Sequence, residues 1–172
     1  GRDRIFNMVS GRPDWCISRQ RSWGVPITAL HCNDCQHVLA TKALADHVAD
    51  LVEDQGVDVW FSLEPTELAP AGATCPGCGG TDWSKEEDIL DVWFDSGVSW
   101  SAVLETQLGL GDRADLYLEG SDQHRGWFQS SLMCGLLSRD QSPYKACLTH
   151  GFVVDEEGRK YSKSSKNFEP PK

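Results

Sequence analysis

Two cysteine pairs restrict this chain more than any other feature. Cys32-Asn33-Asp34-Cys35 and Cys75-Pro76-Gly77-Cys78 share a two-residue gap that makes a tight knuckle. Four thiolates in two such knuckles suit one closed tetrahedral zinc, which would tie residue 32 to residue 78. Either pair alone also fits a thioredoxin-like redox motif; a second matched pair argues for metal. Seven cysteines is an odd number for a disulfide framework, and the charged start Gly1-Arg2-Asp3-Arg4 lacks the apolar core of a secretory leader. His31 and His37 flank the first knuckle as substitute ligands. The segment 31–80 looks poor in apolar residues, so its metal is expected to supply much of its folding energy. Cys16, Cys134 and Cys147 lie in apolar patterns and are expected in the core.

With 172 residues the chain can hold one ordinary domain or two small ones. A hydrophobic content of 40% and seven Trp exclude a disordered segment. No apolar run approaches the ~20 residues that span a bilayer, so a cytoplasmic protein with no membrane partner is expected. No initiating Met is present, so the chain is expected to begin inside something longer.

Net charge is −10, which argues against a general nucleic-acid coat. Its distribution says more. From Asp46 to Asp122 there are eighteen acidic residues and two basic ones, Lys85 and Arg113. Arg159, Lys160, Lys163 and Lys166 instead fall within eight positions, among small polar residues. An ordinary solvated loop would have that composition, and so would a loop that closes on a polyanion.

Hydrophobic periodicity predicts a strand at Val25–Leu30 and a helix capped by Thr41. Leu44, Val48, Leu51 and Val52 share its face and Gly56 stops it. Leu116-Tyr117-Leu118 reads as a short buried strand, followed by a turn at Gly120-Ser121-Asp122 and about seventeen residues of helical pattern. Trp127, Ser131, Leu132, Gly135 and Leu136 fall on one stripe of that helix. Ser142-Pro143 breaks it, and Lys145–Thr149 reads as a second strand. This is a β-α-β unit, so the two strands should be parallel and the fold class α/β. Phe152-Val153-Val154, with a turn at Glu156-Glu157-Gly158, suggests a hairpin entering the basic loop.

Open α/β sheets bind ligands at the carboxyl ends of their strands. Those ends carry Glu119-Gly120-Ser121-Asp122 and Thr149-His150-Gly151. Gly120 permits close backbone approach, and two carboxylates can accept from ribose hydroxyls or an amine. Against this, Asp122 has an ordinary use as a helix cap and His150 as a loop residue. Two polar clusters at both ends of one unit favour a nucleotide site.

The same residues resemble the isoleucyl branch of the class I aminoacyl-tRNA synthetases. The resemblance runs through Arg12-Pro13-Asp14-Trp15-Cys16-Ile17-Ser18-Arg19-Gln20, Trp23-Gly24-Val25-Pro26, and Leu90-Asp91-Val92-Trp93-Phe94-Asp95-Ser96-Gly97. It continues through Tyr117–Phe128, Thr149-His150-Gly151-Phe152, and Gly158-Arg159-Lys160-Tyr161-Ser162-Lys163-Ser164. The valyl branch shares the Trp15–Gln20 stretch but differs at Glu119–Trp127. The resemblance implies the second half of a Rossmann-like catalytic fold with a small zinc-knuckle module. Residues 1–30 would connect to the core, 31–90 form the module, and 91–172 form the carboxyl-terminal half ending in the lysine loop.

It further implies ATP-dependent activation of isoleucine, with Mg2+ accompanying ATP, and transfer to tRNA(Ile). Glu119, Gly120, Asp122 and Gln123 would contact the aminoacyl-adenylate, with Asp122 on the ribose. Trp93 and Trp127 would line the isoleucine side-chain pocket. His150, Gly151 and Phe152 would sit by adenine and phosphates, and Lys160 and Lys163 would bind pyrophosphate. Two positions depart from the family pattern: Tyr161 stands for the usual Met, and Lys166 for the usual Gly. The family's His-Ile-Gly-His sequence is absent, so half an active site is expected, with the amino-terminal half supplied in cis or in trans. A rival of another class is a non-catalytic zinc module that binds RNA or steadies a neighbouring domain; residues 1–90 alone would fit it.

Overall fold

A computed structural model describes residues 2–107 and 109–162, apart from the side chains of Arg4 and Ile5. The chain forms two compact units, one joining Gly1–Trp15 to Trp93–Lys172 and the other comprising Cys16–Val92. The stretch 1–30 is thus shared between them. Its first element, helix α1 (Arg2–Ser10), lies in the first unit and was not anticipated by the periodicity.

The second unit contains β1 (Ser18–Arg19), β2 (Leu30–Cys32), β3 (Val38–Leu39), α2 (Lys42–Gln55), α3 (Val59–Ser62), α4 (Pro65–Leu68), β4 (Trp83–Lys85) and β5 (Ile89–Leu90). β2 lies between β3 and β4 in an antiparallel sheet, and β1 pairs with β5. α2 begins and ends as its sequence dictates. Thr41 Oγ1 accepts from the Leu44 N–H at 3.2 Å, and Gly56 stops the helix at φ 88°. α4 starts with Pro65 after Glu64, whose N–H donates to Glu67 Oε2 at 2.9 Å.

Two expectations change here. The strand foreseen at Val25–Leu30 is not regular: Pro26 makes one isolated bridge with Ile89, and the strand begins only at Leu30. A proline has no N–H to give to a ladder. The knuckle segment also has its own core, in which Leu30, Leu39, Leu44, Val48, Trp60, Leu68 and Trp83 pack with Cys32 and Cys75. Its apolar residues are dispersed along the chain and converge only on folding, so this unit has apolar burial of its own to stabilise it.

The first unit continues through α5 (Val92–Gly97), a π-helix (Trp100–Gln107), β6 (Ala114–Gly120), a 3-10 turn (Ser121–Arg125), α6 (Trp127–Arg139) and β7 (Tyr144–His150). β6 and β7 are parallel, with Tyr117 opposite Cys147 and Gly120 opposite His150. The foreseen helix is in two pieces, divided at Gly126. Phe128, Ser131 and Gly135 of α6 are buried, whereas Leu136 is exposed. Gly135 is required there: a Cβ on it would lie 2.7 Å from the Gln141 carbonyl and 2.8 Å from Pro143 Cδ. Asp140 ends α6 in the left-handed conformation, φ 51°.

Tyr117 anchors the sheet to α6. It stacks on Trp127 at 4.4 Å between ring centres, approaches Tyr144 at 4.6 Å, and shares a 2.9 Å hydrogen bond with Ser131 Oγ. It is the only residue of the 116–118 triplet that is buried; Leu116 and Leu118 are about half exposed. Cysteine burial is corrected too: Cys16 and Cys147 are exposed and Cys134 is half-buried. Among the described residues β6 and β7 are both edge strands, which leaves Cys147 beside an open edge. Among the described residues no helix is long and apolar enough to cross a membrane.

Candidate functional site

In the first unit the parallel register brings the two polar clusters level. Glu119 pairs with Thr149 and Gly120 with His150, so both strands end at the same height. Glu119 is exposed and its Oε1 accepts from the Gly120 N–H at 3.1 Å. A Cβ at Gly120 would sit 2.5 Å from Asp122 Oδ1 and 4.0 Å from Phe152 Cε1. The Asp122 carboxylate therefore crowds that glycine, and the Phe152 ring lies at ordinary contact distance. Asp122 does not cap α6: the first N–H of that helix, on Trp127, donates to Gln123 Oε1 at 3.1 Å instead. The exposed Asp122 carboxylate accepts from Gln123 Nε2 at 3.3 Å. His150 Nδ1 donates to the Gly151 carbonyl at 2.7 Å, leaving Nε2 on the other side of an exposed ring.

The hairpin after β7 presents the basic loop. Val154 bridges Lys160, and the Tyr161 N–H donates to the Val153 carbonyl at 3.0 Å. Asp155 holds the turn. Its Oδ1 accepts from the N–H groups of Glu157 and Arg159 at 3.1 and 2.8 Å, and its Oδ2 from Arg159 Nε at 3.0 Å. Arg159 is thereby engaged by carboxylates, whereas Lys160 Nζ lies 3.4 Å above the Phe152 ring centre. Asp122, Gly120, Phe152 and Lys160 thus form one contiguous group. Tyr161 joins the hairpin through its backbone, which a Met would do equally. Lys163 and Lys166 lie outside the described residues.

Trp93 and Trp127 come together at the start of α6. A Cβ at Gly126 would lie 3.0 Å from Trp93 Cη2, and Trp127 Nε1 donates to the Ser96 carbonyl at 2.7 Å. Sequence reasoning did not single out Ser96, Gly126 or Asp155. Only Asp155 left a signal of its role, an Asp three residues before the Gly158 of a turn.

The second unit assembles the cysteines. The Sγ atoms of Cys32, Cys35, Cys75 and Cys78 all lie within 4.8 Å of one another. Cys32 meets Cys78 at 3.5 Å and Cys35 meets Cys75 at 3.4 Å. A tetrahedral ion with ~2.3 Å bonds to sulfur needs sulfurs about 3.8 Å apart, so the group could hold a metal after small side-chain shifts. The N–H groups of Gly77 and Gly80 point at Cys75 and Cys78 Sγ, each at 3.4 Å. Burial pushes the Cys75 thiol up, but the N–H groups of Cys78 and Gly77 outweigh it and bring the pKa down to about 6. At Cys78 the Gly80 N–H favours the thiolate, yet the thiols of Cys32 and Cys35 drive it up to about 12. Four thiolates this close would need a cation between them, which is the condition under which all four ionise. His31 is engaged by Glu86 at 3.0 Å and does not join the cluster.

These features define a class. The family profile for class I tRNA synthetases (I, L, M and V) matches residues 1–172, and the chain belongs to that family. It is 61% identical over 171 residues to the isoleucine–tRNA ligase of Syntrophotalea carbinolica, covering 99% of this chain and 18% of that protein. The isoleucine–tRNA ligase of Geobacter sulfurreducens is 58% identical over the same shares. That of Aquifex pyrophilus is 58% identical over 95% of this chain and 31% of its own length. The chain therefore spans about a fifth to a third of these relatives. Among solved structures, the ternary LeuRS–tRNA–LeuAMS complex of Agrobacterium radiobacter K84 superposes with a TM-score of 0.57 at 25% identity, over 88% of this chain and 21% of that one. The class I synthetase fold is thus shared.

Proposed function

We propose that this chain is part of an isoleucine–tRNA ligase that forms isoleucyl-adenylate from ATP and isoleucine and passes the isoleucyl group to tRNA(Ile). The observation that carries the reading is the register of β6 and β7, which sets Glu119-Gly120 level with Thr149-His150 beside Asp122. Asp122, not engaged in capping α6, serves the ribose, and Glu119 and Gln123 serve the aminoacyl-adenylate. His150, Gly151 and Phe152 face adenine and phosphates. Lys160 and Lys163 neutralise the leaving pyrophosphate, whose negative charge grows as the bond to the α-phosphate breaks. Mg2+ arrives with ATP. Trp93 and Trp127 wall the aliphatic side chain of the amino acid.

A structural zinc is held by Cys32, Cys35, Cys75 and Cys78, and it fixes the two knuckles to each other. The amino-terminal half of the fold completes the site. The exposed Leu116, Leu118 and Leu148 of β6 and β7 support that reading, because parallel sheets are normally covered on both faces. The place of action is the cytoplasm, where all three substrates are found.

Titration calorimetry with the sulfamoyl analogue of isoleucyl-adenylate tests the site. The chain should bind it, and Asp122→Ala should weaken binding by about tenfold, the loss of a charged hydrogen bond of about 1.5 kcal/mol. Unchanged affinity in that variant would remove the ribose contact from the account.

A further inference from the structure

We infer that Gly126 is a positioning residue for amino-acid selection, because the space its missing side chain leaves is filled by the indole of Trp93. This rests on the reading that Trp93 and Trp127 wall a branched aliphatic side chain. The geometry is asymmetric. Trp127 is fixed on several sides: its N–H donates to Gln123 Oε1 at 3.1 Å, its Nε1 to the Ser96 carbonyl at 2.7 Å, and its ring stacks on Tyr117. Trp93 keeps 41% of its surface exposed, and the far edge of its six-membered ring lies against Gly126. A Cβ at position 126 would meet Trp93 Cη2 at 3.0 Å and Cζ3 at 3.1 Å. Real Cβ contacts are seldom so short, and a rigid indole cannot yield by rotating a terminal torsion.

The helix that carries Trp93 cannot retreat as a body. Ser96, three residues along α5, accepts the Trp127 bond, and a Cβ at Gly97 would lie 3.2 Å from the Ser130 backbone. A methyl group at 126 must therefore displace the Trp93 ring itself. Gln123 Oε1, 2.7 Å from the same point, belongs to a flexible side chain that can shift, and Trp127 then still keeps its Ser96 bond and its stack on Tyr117. One wall of the pocket moves while Trp127 stays. Selection between isoleucine and valine turns on a single methylene, which an apolar pocket distinguishes by about 10–200-fold; isoleucine against valine is itself one of the cases behind that range. Wall position is what such a difference depends on.

The test is titration of the whole chain with the isoleucyl and valyl sulfamoyl-adenosine analogues, and with adenosine as a nucleotide control. Gly126→Ala should lower the isoleucyl-over-valyl preference about tenfold or more and leave adenosine affinity unchanged. Adding Trp93→Phe to it should restore part of the preference, since a phenyl ring ends short of Cη2 and Cζ3. Trp93→Phe alone, which does not strain the fold, should also lower the preference. Retained preference in both single variants would overturn the inference and leave the proposed activity standing. A parent chain that binds the two analogues equally would overturn the pocket reading and this inference with it. Equal loss of adenosine and analogue affinity in Gly126→Ala would reassign Gly126 to fold maintenance.

Discussion

Removing the hydroxyl of Tyr117 isolates the contact that seats α6 on the β6–β7 pair. Tyr117 is 3% exposed and Ser131 is 0% exposed, and their hydroxyls meet at 2.9 Å. Tyr117→Phe keeps the ring stacked on Trp127 and Tyr144 but strands the Ser131 hydroxyl. An orphaned buried hydroxyl costs about 1–3 kcal/mol. A serine in a helix can bond back to the carbonyl four residues earlier, which holds the expected loss to about 1–2 kcal/mol. Ser131→Ala should cost less, about 1 kcal/mol or below, because Ser99 stands close enough to the Tyr117 hydroxyl to take over as its partner. The double variant leaves nothing stranded on the helix and should cost less than the sum of the two. Native-state hydrogen exchange at the Tyr117 and Leu118 amides reads this locally, free of the second unit. Equal costs that add without coupling would refute the argument that the two hydroxyls satisfy each other.

A chain purified without added zinc should contain about one equivalent by metal analysis, and chelation should loosen the Cys32–Cys78 knuckles while hydrogen exchange in β6 and α6 is unchanged. Gly135→Ala should destabilise the first unit by about 1–3 kcal/mol, since backbone at Gln141 and the Pro143 ring block the methyl; exchange protection in α6 reports it. Burial holds the Tyr117 phenol above its usual 10 and pushes Tyr144 up to about 12. A raised folded pKa means that this stabilisation is complete below pH 10 and is lost as pH climbs towards about 12, so tyrosinate absorbance should appear together with loss of near-ultraviolet dichroism.

The β-α-β unit, the Thr41 cap, the Gly56 stop and the 152–161 hairpin were legible because each depends on neighbours in the chain. Burial was less so. Leu116, Leu118 and Cys147 look like core residues, yet whether a strand face is covered depends on layers that the local pattern does not contain. The π-helix at Trp100–Gln107 was missed because its i+5 backbone bonds follow neither helical nor strand period. The cysteine cluster was legible from spacing alone. The core around it was not, since Trp60, Leu68 and Trp83 come from loop-rich sequence. Gly126 and Ser96 lay inside the stretches that carry the resemblance, but their roles were not legible, because the Trp93 ring against Gly126 and the Trp127 bond to the Ser96 carbonyl are contacts across the fold.

The central claim is that β6, β7 and the basic hairpin form one side of an adenylate-forming site whose other side comes from the amino-terminal half of the fold. It is tested most directly by isoleucine-dependent exchange of labelled pyrophosphate into ATP, with this chain alone and then with the amino-terminal portion of a relative added in trans. Loss of a single preorganised donor typically slows such chemistry by ~10²–10³, so the chain alone should fall far below a complete relative. Exchange should rise on addition, and Lys160→Ala should abolish the rise. Near-complete exchange by this chain alone, or a rise indifferent to Lys160, would contradict the account.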